Sequence, residues 1–302
     1  MQFPQSSAED LAGELITWHQ AMTAGVRRQD VGYLVRRGAW EHMRRGLYAV
    51  AGGGAVSRIG ASLLATGSRA VASHASAAEL LDLDLLRGTN PAVSVLTVRR
   101  GTRGHADLPG VHVHRAGLPP WHITEAHGLP VTTVARTLVD LTRSLSLRDG
   151  VVAMDAALHA GRVRTQELEE VLSDCRGWPW IRRAGTAVEL ADPAAESALE
   201  SLSRLFFRDY DIPAPQTQVD LRCANRFIAR TDFWWESSRV AGEADGMRKY
   251  TALADLHEEK LRQERIEALD IRVVRWTWAD IWRASAARMT ADRLHAALNR
   301  RA

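Results

Sequence analysis

Two interruptions rich in glycine and proline divide this chain into three stretches with different patterns of apolar residues. The first is the run AGGG at residues 51–54, and the second extends from GWPW at 177–180 to Asp192-Pro193. Because glycine and proline disrupt helices and strands, we expect chain breaks at both places. The 302 residues also exceed a typical domain of roughly 100–200 residues. The sequence therefore predicts three folded segments, at residues 1–52, 53–189 and 190–302.

The first segment has the order of elements of a winged helix-turn-helix. A short helix can open near residues 7–10, a second is indicated at 18–24, and a third at 27–37 has its apolar residues on one face. Glycine follows the second and third helices, as is common at helix ends. Two short strands are then predicted at 40–44 and 47–50. Three helices followed by a hairpin predict a winged helix-turn-helix module.

The third helix and the hairpin are strongly basic. Between Gly25 and Tyr48 there are six arginines and only two acidic residues. A recognition helix carries basic or amide side chains to base edges, while basic residues of a wing reach phosphates or the minor groove. The alternative is a solvated basic face in an arginine-rich protein. The residues predicted to contact DNA are Arg27, Arg28, Arg36, Arg37, Arg44 and Arg45.

The second and third segments both mix helices and strands. We interpret residues 53–189 as an α/β module that connects the other two, and we find no catalytic constellation in it. In the third segment the apolar periodicity predicts a helix, three strands, a second helix and a returning strand. These elements are expected at residues 194–207, 218–221, 227–234, 239–245, 253–269 and 272–276. This order is that of an α/β/α sandwich, so the predicted fold class is α/β with several domains.

Acidic residues are expected to converge in the third segment. Asp232 ends one predicted strand, and Glu243 and Asp245 lie on the next strand at hairpin spacing. Because side chains alternate along a strand, Glu243 and Asp245 share a face that Asp232 can meet. Glu200, on the preceding helix, is the remaining acid. Converging carboxylates repel each other unless a cation binds them, and Mg²⁺ or Mn²⁺ suits such oxygen ligands. The alternative is that these acids only occupy turns and strand ends.

The only two lysines in the chain follow this acidic stretch. Lys249 and Lys260 stand among 39 basic residues, and all the others are arginines. In phosphodiester hydrolysis a divalent metal polarises the phosphoryl group, and a compact ammonium group helps to stabilise the negative charge. Both lysines are therefore candidate catalytic residues, with Lys249 first because it is nearer to the strand. The alternative is a solvated helix face.

Histidines in the second segment and tryptophans in the third have structural interpretations. The histidines lack cysteine or acid partners at metal-binding spacing, so we expect surface or hydrogen-bonded rings rather than a metal site. The tryptophans could stack on bases, but we expect them to fill the core and rim of the sandwich. The residues concerned are His105, His112, His114, His122, His127, Trp234, Trp235, Trp276, Trp278 and Trp282.

The remaining composition argues against membrane insertion and export. No apolar run approaches the roughly 18 residues that a membrane helix needs. The first residues include Glu9, Asp10 and Glu14 and lack a basic start followed by an apolar stretch. Cys175 and Cys223 are the only cysteines, too few for a disulfide framework or a zinc finger. We expect a cytoplasmic protein without an organic cofactor.

Several runs of sequence resemble the AbiEi-type antitoxin family. In the first segment they are ITWHQA at 16–21, AGVRR at 24–28, LVRRGAW at 34–40 and RRGLY at 44–48. In the second segment, SHASAA at 73–78 and GLPVTTVARTLVD at 128–140 are similar to phrases that follow the winged helix in many actinobacterial members. The resemblance implies a DNA-binding protein that represses the promoter of a paired toxin.

The third segment resembles the PD-(D/E)XK nuclease superfamily, in particular its Vsr-like branch. The runs that carry this resemblance are EADG at 243–246 with KY at 249–250, EEKLR at 258–262 and RVVRWTWAD at 272–280. The resemblance implies that Glu200, Asp232 and Glu243 are metal ligands. Two positions depart from the pattern, since Asp245 occupies the place of the catalytic lysine and Gly242 interrupts a run that is normally β-branched. The ammonium group would then come from Lys249 or Lys260.

These observations favour a DNA-binding protein whose C-terminal domain is a Mg-dependent endonuclease, acting in genome defence or DNA processing. The alternative is a non-enzymatic antitoxin and transcriptional repressor whose C-terminal fold serves protein contact or dimerisation. DNA is the expected partner in both cases, and a cognate toxin or a second copy of the chain is a further one. Loss of DNA cutting in Asp232→Ala and Glu243→Ala would distinguish the two.

Overall fold

The computed structural model describes residues 15–44, 46–50, 54–66, 69–86, 88, 93–99, 110–224, 226–245, 265–266 and 268–299. Over these ranges the protein is mixed α/β with more than one compact part, which confirms the predicted fold class. The first unit comprises residues 1–153 and 162–189, and the second comprises 154–161 and 190–302. None of the helices within these ranges combines the length and apolar character that a membrane span requires.

The N-terminal part of the first unit is a small sheet with two helices. Its elements are β1 (Leu15–Thr17), α1 (Trp18–Thr23), α2 (Arg28–Arg36), β2 (Trp40–Arg44) and β3 (Leu47–Val50). Strand β3 lies between β1 and β2 and is antiparallel to both. Two helices, a hairpin and a three-stranded sheet make a winged helix-turn-helix. The helix predicted near residues 7–10 lies outside the described residues.

Helix α2 forms because its apolar side chains fall on one face. Val31 is buried, and Leu34 and Val35 pack against the core that also contains Trp40 and Tyr48. The rings of Trp40 and Tyr48 lie 5.6 Å apart and tie the hairpin to this core. The apolar side of α2 therefore faces the sheet, and its basic side is left to solvent.

The rest of the first unit is a five-stranded mixed sheet with helices. Its elements are α3 (Ala55–Thr66), β4 (Ala70–Ala72), α4 (His74–Leu80), β5 (Ser94–Arg99), β6 (Val111–Ala116), β7 (Ile123–Ala126), β8 (Leu129–Thr132), α5 (Val134–Ser144), α6 (Leu147–His159), α7 (Thr165–Asp174) and α8 (Ile181–Leu190), of which α6 from residue 154 and the last residue of α8 belong to the second unit. The strand order is β6-β5-β4-β8-β7. Ile59, Leu63, Leu96, Val98 and Val131 belong to one core cluster between α3 and the sheet.

The second unit contains a four-stranded sheet. Its elements are α9 (Ala198–Asp209), β9 (Gln216–Cys223), β10 (Arg226–Trp235), β11 (Val240–Ala244), β12 (Arg272–Trp276), α10 (Trp278–Trp282) and α11 (Ala284–Asn299). The order is β12-β11-β10-β9, in which only β11 and β12 are parallel. The strand predicted at 272–276 has these bounds in the structure. The helix predicted at 253–269 lies mostly outside the described residues.

Aromatic rings fill one side of this sheet. Trp276 is 1% exposed, packs against Phe207 and Phe233, and donates from Nε1 to Oγ of Ser203 at 2.7 Å. Trp235 packs edge-on against Phe207. The expectation that tryptophans fill the core and rim is confirmed for the core by Trp235 and Trp276, while Trp282 is 48% exposed.

Gly242 is explained by these rings. A Cβ atom there would lie 2.7 Å from Cη2 of Trp276 and 2.9 Å from Cζ3 of Trp235. We predict that Gly242→Ala lowers the free energy of unfolding of the second unit by about 1–3 kcal/mol, because the rings must shift. Denaturant unfolding followed by tryptophan fluorescence measures the change. As a control, Gly185→Ala in α8 meets no atom within 4 Å and should be neutral or stabilising. Equal stability of Gly242→Ala and the wild type would contradict this packing.

Candidate functional site

The exposed side of α2 carries predicted DNA-contacting arginines. Arg28, Gly32 and Arg36 follow at four-residue intervals and so form one stripe along the helix, with both arginines exposed. A Cβ added at Gly32 would lie 3.4 Å from Nη1 of Arg36, so this guanidinium group lies back over the glycine. The stripe therefore presents two exposed cations on one side of α2, with the guanidinium group of Arg36 leaning over the glycine between them.

Arg27 and Arg37 have partners on the helix itself. Nε of Arg27 donates to Oδ2 of Asp30 at 2.9 Å, and the guanidinium group of Arg37 lies over the ring of Tyr33, 5.5 Å from its centroid. Asp30 offsets part of the charge of Arg27, while the cation–π contact leaves the charge of Arg37 in place and orients it. Tyr33 itself is 41% exposed.

The wing arginines are described only in part. The backbone of Arg44 belongs to β2, but its side chain and the whole of Arg45 lie outside the described residues. Six arginines are predicted to contact DNA. The four that belong to α2 and its flanks lie on the solvent-facing side of one module.

In the second unit, Glu200 lies in the first turn of α9 and takes part in its cap. Oε1 accepts a hydrogen bond from Oγ of Ser197 at 2.9 Å, and Oε2 accepts from the backbone N–H of Glu196 at 3.1 Å. Oγ of Ser197 in turn accepts from the backbone N–H of Glu200. A serine cap with a carboxylate in the first turn favours a helix start here. The helix begins at Ala198 for this reason, later than the residue 194 predicted.

Gln218 joins Glu200 to Asp232. Its Nε2 lies 2.7 Å from Oε2 of Glu200 and 3.5 Å from Oδ1 of Asp232, and its Oε1 accepts from Nε of Arg230 at 2.8 Å. Oδ2 of Asp232 accepts from the backbone N–H of Ala244. Gln218 has φ +53° within β9, a left-handed conformation that costs a non-glycine residue on the order of 1–3 kcal/mol. Two predicted metal ligands therefore meet around one strained glutamine.

Glu243 has a different partner. The parallel pairing of β11 with β12 places it opposite Arg275, whose Nε donates to Oε2 of Glu243 at 2.8 Å. Glu243 is only 8% exposed, so the pair is shielded from water on the carboxylate side. Asp245 is half-buried, and its backbone N–H donates to the carbonyl of Trp276.

The described carboxylates do not fit a metal ion as they stand. Over the described ranges, no group of three or more His, Cys, Asp or Glu is arranged to hold one. Mg²⁺ and Mn²⁺ need several oxygens that are not engaged with cationic side chains, and Glu243 faces a guanidinium group instead. Lys249 and Lys260 lie outside the described residues. The metal site and its catalytic roles stay predictions.

A buried polar network in the first unit was missed by the sequence analysis. Arg136 and Asp140, which are 1% and 0% exposed, form an ion pair at 2.7 Å on α5. Nη1 of Arg136 also contacts Nδ1 of His122 at 2.9 Å, and Arg143 donates to the other carboxylate oxygen of Asp140. The guanidinium group of Arg136 lies over Trp178. The signal was an Arg and an Asp four residues apart on an otherwise apolar helix face.

His122 connects this network to a groove of about 650 Å³. Because Arg136 can only donate, Nδ1 of His122 accepts, which leaves the proton on Nε2 facing Oδ2 of Asp174 at 3.2 Å. Burial and the charge of Arg136 lower the pKa of His122, in keeping with a neutral ring. Nε1 of Trp121 also donates to Asp174, and its ring is 70% exposed. The network is thus a structural tie between α5 and α7.

Three histidine rings lie together near β6. The rings of His74 and His114 stack with centroids 4.1 Å apart, and His112 meets His114 edge-on at 4.5 Å. The described residues hold no metal-binding group here, and His105 lies outside them. Burial lowers the pKa of His74 to about 4. Burial likewise raises the pKa of the Cys175 thiol to about 11, so this cysteine is protonated at neutral pH.

The order of elements and the three-stranded sheet over residues 15–50 are those of a winged helix-turn-helix module. The comparison with known families is more particular. Residues 70–190, from β4 to α8, match the AbiEi antitoxin C-terminal domain. The match confirms the resemblance to this family for the middle of the chain, and residues 190–302 lie almost wholly beyond it.

Relatives over most of the chain carry no functional description in their names. Two uncharacterized proteins from different strains of Mycobacterium tuberculosis are each 28% identical to this chain over 248 residues. The aligned part covers 82% of this chain and 89% of each relative. The similarity therefore extends well beyond the antitoxin domain.

The stability of the first unit should depend on pH through His74. A folded-state pKa near 4, below the usual value near 6.5, means that the neutral ring stabilises the fold fully above pH 6.5. That contribution is lost as the pH falls toward 4, by about 3 kcal/mol. Asp140 opposes the shift, while His114, Arg143 and Arg136 favour it.

His74→Asn tests this, because asparagine tolerates the φ of +50° at this position. We expect the variant to lose less unfolding free energy than the wild type between pH 7 and pH 4, because the ring whose folded-state pKa is lowered is absent. His127→Asn is a matched control, since His127 is exposed and also has a positive φ of +53°. Parallel pH profiles for wild type and His74→Asn would rule out the assignment.

Proposed function

We propose that this protein is a DNA-binding regulator of a toxin–antitoxin system, with α2 as its recognition helix. The single observation that carries the proposal is the stripe of Arg28 and Arg36 on the exposed side of α2, on either side of Gly32. The match of residues 70–190 to an antitoxin domain supports the link to a toxin. The regulated DNA would then be the promoter that controls the paired genes.

The side chains of α2 suit the two tasks of such a helix. Arg28 and Gln29 stand at its N-terminal end, where recognition helices contact base edges. An arginine can make a bidentate contact with guanine, and a glutamine with adenine. Arg36 and Arg37 stand at the other end and would meet phosphates, which position the module without selecting sequence.

The partners expected from this proposal are DNA, a cognate toxin and a second copy of the chain. Winged helices of this type often act in pairs on two half-sites one helical turn apart. A footprint on the upstream DNA that contains two such half-sites would support a dimer on DNA.

The test of α2 is a binding titration with the double variant Arg28→Ala/Arg36→Ala. Each lost contact should weaken binding to the DNA upstream of the gene by about 1–3 kcal/mol, because a guanidinium group no longer meets a base or a phosphate. Fluorescence anisotropy of labelled duplex gives the dissociation constant. Arg182→Ala is the matched control, since Arg182 is an exposed arginine of α8 in the same unit. Wild-type affinity in the double variant would sink the proposal.

Metal-dependent hydrolysis of DNA by the second unit is a second candidate function. It is favoured by the strained Gln218, whose amide Nε2 contacts the carboxylates of both Glu200 and Asp232. Backbone strain clusters at functional sites, which makes this a reason to test activity. For a metal to bind here, Glu243 would have to release Arg275 and bind the ion instead. The ammonium group of Lys249 or Lys260 would also have to lie near the metal.

Incubation of supercoiled plasmid with Mg²⁺ or Mn²⁺ tests this candidate. If the second unit cuts DNA, the wild type nicks the plasmid, and Asp232→Ala and Glu243→Ala abolish nicking because each removes a ligand. Asp220→Ala is the control, because Asp220 is an exposed carboxylate on β9 whose Oδ2 lies 3.2 Å from Nη2 of Arg222. Intact plasmid with the wild type, or nicking that survives Glu243→Ala, would exclude this mechanism.

A further inference from the structure

A groove lined by three arginines runs between β12 and α11 in the second unit. We call it the arginine groove and define it by Arg272 and Arg275 of β12 and Arg293 of α11, with Ala296 and Ala297 on the helix side. Its volume is about 350 Å³, at the lower end of the range of roughly 300–1,000 Å³ for ligand sites. These arginines belong neither to the DNA contacts nor to the metal site predicted from the sequence.

The guanidinium groups are held in place by backbone carbonyls. Nη1 of Arg272 donates to the carbonyl of Ala297 at 2.8 Å, and Nη2 of Arg293 donates to the carbonyl of Arg275 at 2.6 Å. Each contact uses part of a planar group that has five N–H donors in all. The contacts therefore orient Arg272 and Arg293 toward the groove without using up their capacity to donate.

The charge of the groove is one-sided. Its lining contains three arginines and no acidic residue. Side chains alternate along β12, so Arg275 projects to the face that carries Glu243, and the cationic side chains of the groove are those of Arg272 and Arg293. Glu243, which pairs with Arg275, offsets one of these charges from the neighbouring strand. The positive charges of Arg272 and Arg293 lower the energy of an anion that lies between β12 and α11. The groove therefore favours an anionic ligand.

The remaining lining indicates which anion. Guanidinium groups match the oxygens of a phosphate in geometry as well as in charge. Beside the arginines, the lining consists of Val273, Val274, Ala296 and Ala297. These side chains offer a nucleobase neither an aromatic surface for stacking nor a polar group for recognition. The groove is therefore suited to phosphate groups alone, as presented by a nucleic acid backbone.

We propose that the arginine groove binds phosphate groups of the DNA backbone, as a second DNA contact that is independent of sequence. This inference rests on the proposed function only in taking DNA as the ligand. The arginines of the groove lie in the second unit, whereas α2 lies in the first. Such a contact adds affinity for any duplex, and the choice of site is left to α2.

The full-length protein with Arg272→Gln/Arg293→Gln tests the proposal. Each phosphate contact contributes a slope of about 0.9 to the dependence of log K on log salt. Loss of two contacts should reduce this slope by about 1.8 and weaken binding roughly 30-fold at about 0.15 M salt, on promoter and unrelated duplex alike. Arg288→Gln is the matched control, because Arg288 is an exposed arginine of α11 that does not line the groove.

The substitutions also remove two hydrogen bonds to carbonyls, so folding is checked separately. Arg272→Lys/Arg293→Lys loses the guanidinium geometry but keeps the charges, and its salt slope should stay close to that of the wild type. Thermal unfolding of all variants is measured alongside binding. A wild-type slope in a folded Gln variant, or the same loss of slope in the Lys and Gln variants, would overturn the proposal.

Comparison with the α2 variants separates the two proposals. If Arg28→Ala/Arg36→Ala binds the promoter as the wild type does while the Gln variant of the groove is weakened, the recognition helix is misassigned and the groove is supported. Competition with polyglutamate and with inorganic phosphate tests other sources of anion. The proposal would also be overturned if binding of polyglutamate or of inorganic phosphate required the groove arginines while the Gln variant bound DNA as the wild type does.

Discussion

The indole of Trp276 holds the second unit together. It packs against Phe207 of α9 and Phe233 of β10, and its one polar atom is bonded to Ser203. A buried tryptophan without a partner for its N–H would be costly, so this hydrogen bond and the rings together determine where β12 can lie. Gly242 is part of the same constraint, because no larger residue leaves room for the ring. The position of β12 then places Arg275 opposite Glu243.

That pairing illustrates how the role of a carboxylate depends on its neighbours. Glu243 lies on the strand and in the register that the sequence indicates, yet its partner is a cation 32 residues away on the parallel strand β12. Glu200 and Asp232 are brought together instead by the amide of Gln218. Residue type and spacing alone do not distinguish these arrangements. A nuclease would have to separate Glu243 from Arg275, whereas a purely structural domain would keep this ion pair.

The sequence predicts those elements whose stability is local. The sequence predicts helix α2 and strands β2, β3 and β12 at or within one residue of their bounds, because their patterns of apolar residues are readable over a short window. Strand β1 has three residues, too few for a period, and exists through its pairing with β3. The start of α9 depends on the cap at Ser197 rather than on periodicity. The exposed arginines of α2 can be predicted from the sequence. The arginine groove cannot, because it forms only where β12 contacts α11.

The position of β12 at the edge of its sheet has one more consequence. An edge strand presents unpaired backbone groups to which a strand of another molecule can add, and proteins commonly block such edges with charged side chains. Here a guanidinium group from α11 already occupies the carbonyl of Arg275, and two cationic side chains project from the strand itself. Copies of this protein would therefore resist joining through the β12 edges of their sheets, even at high local concentration.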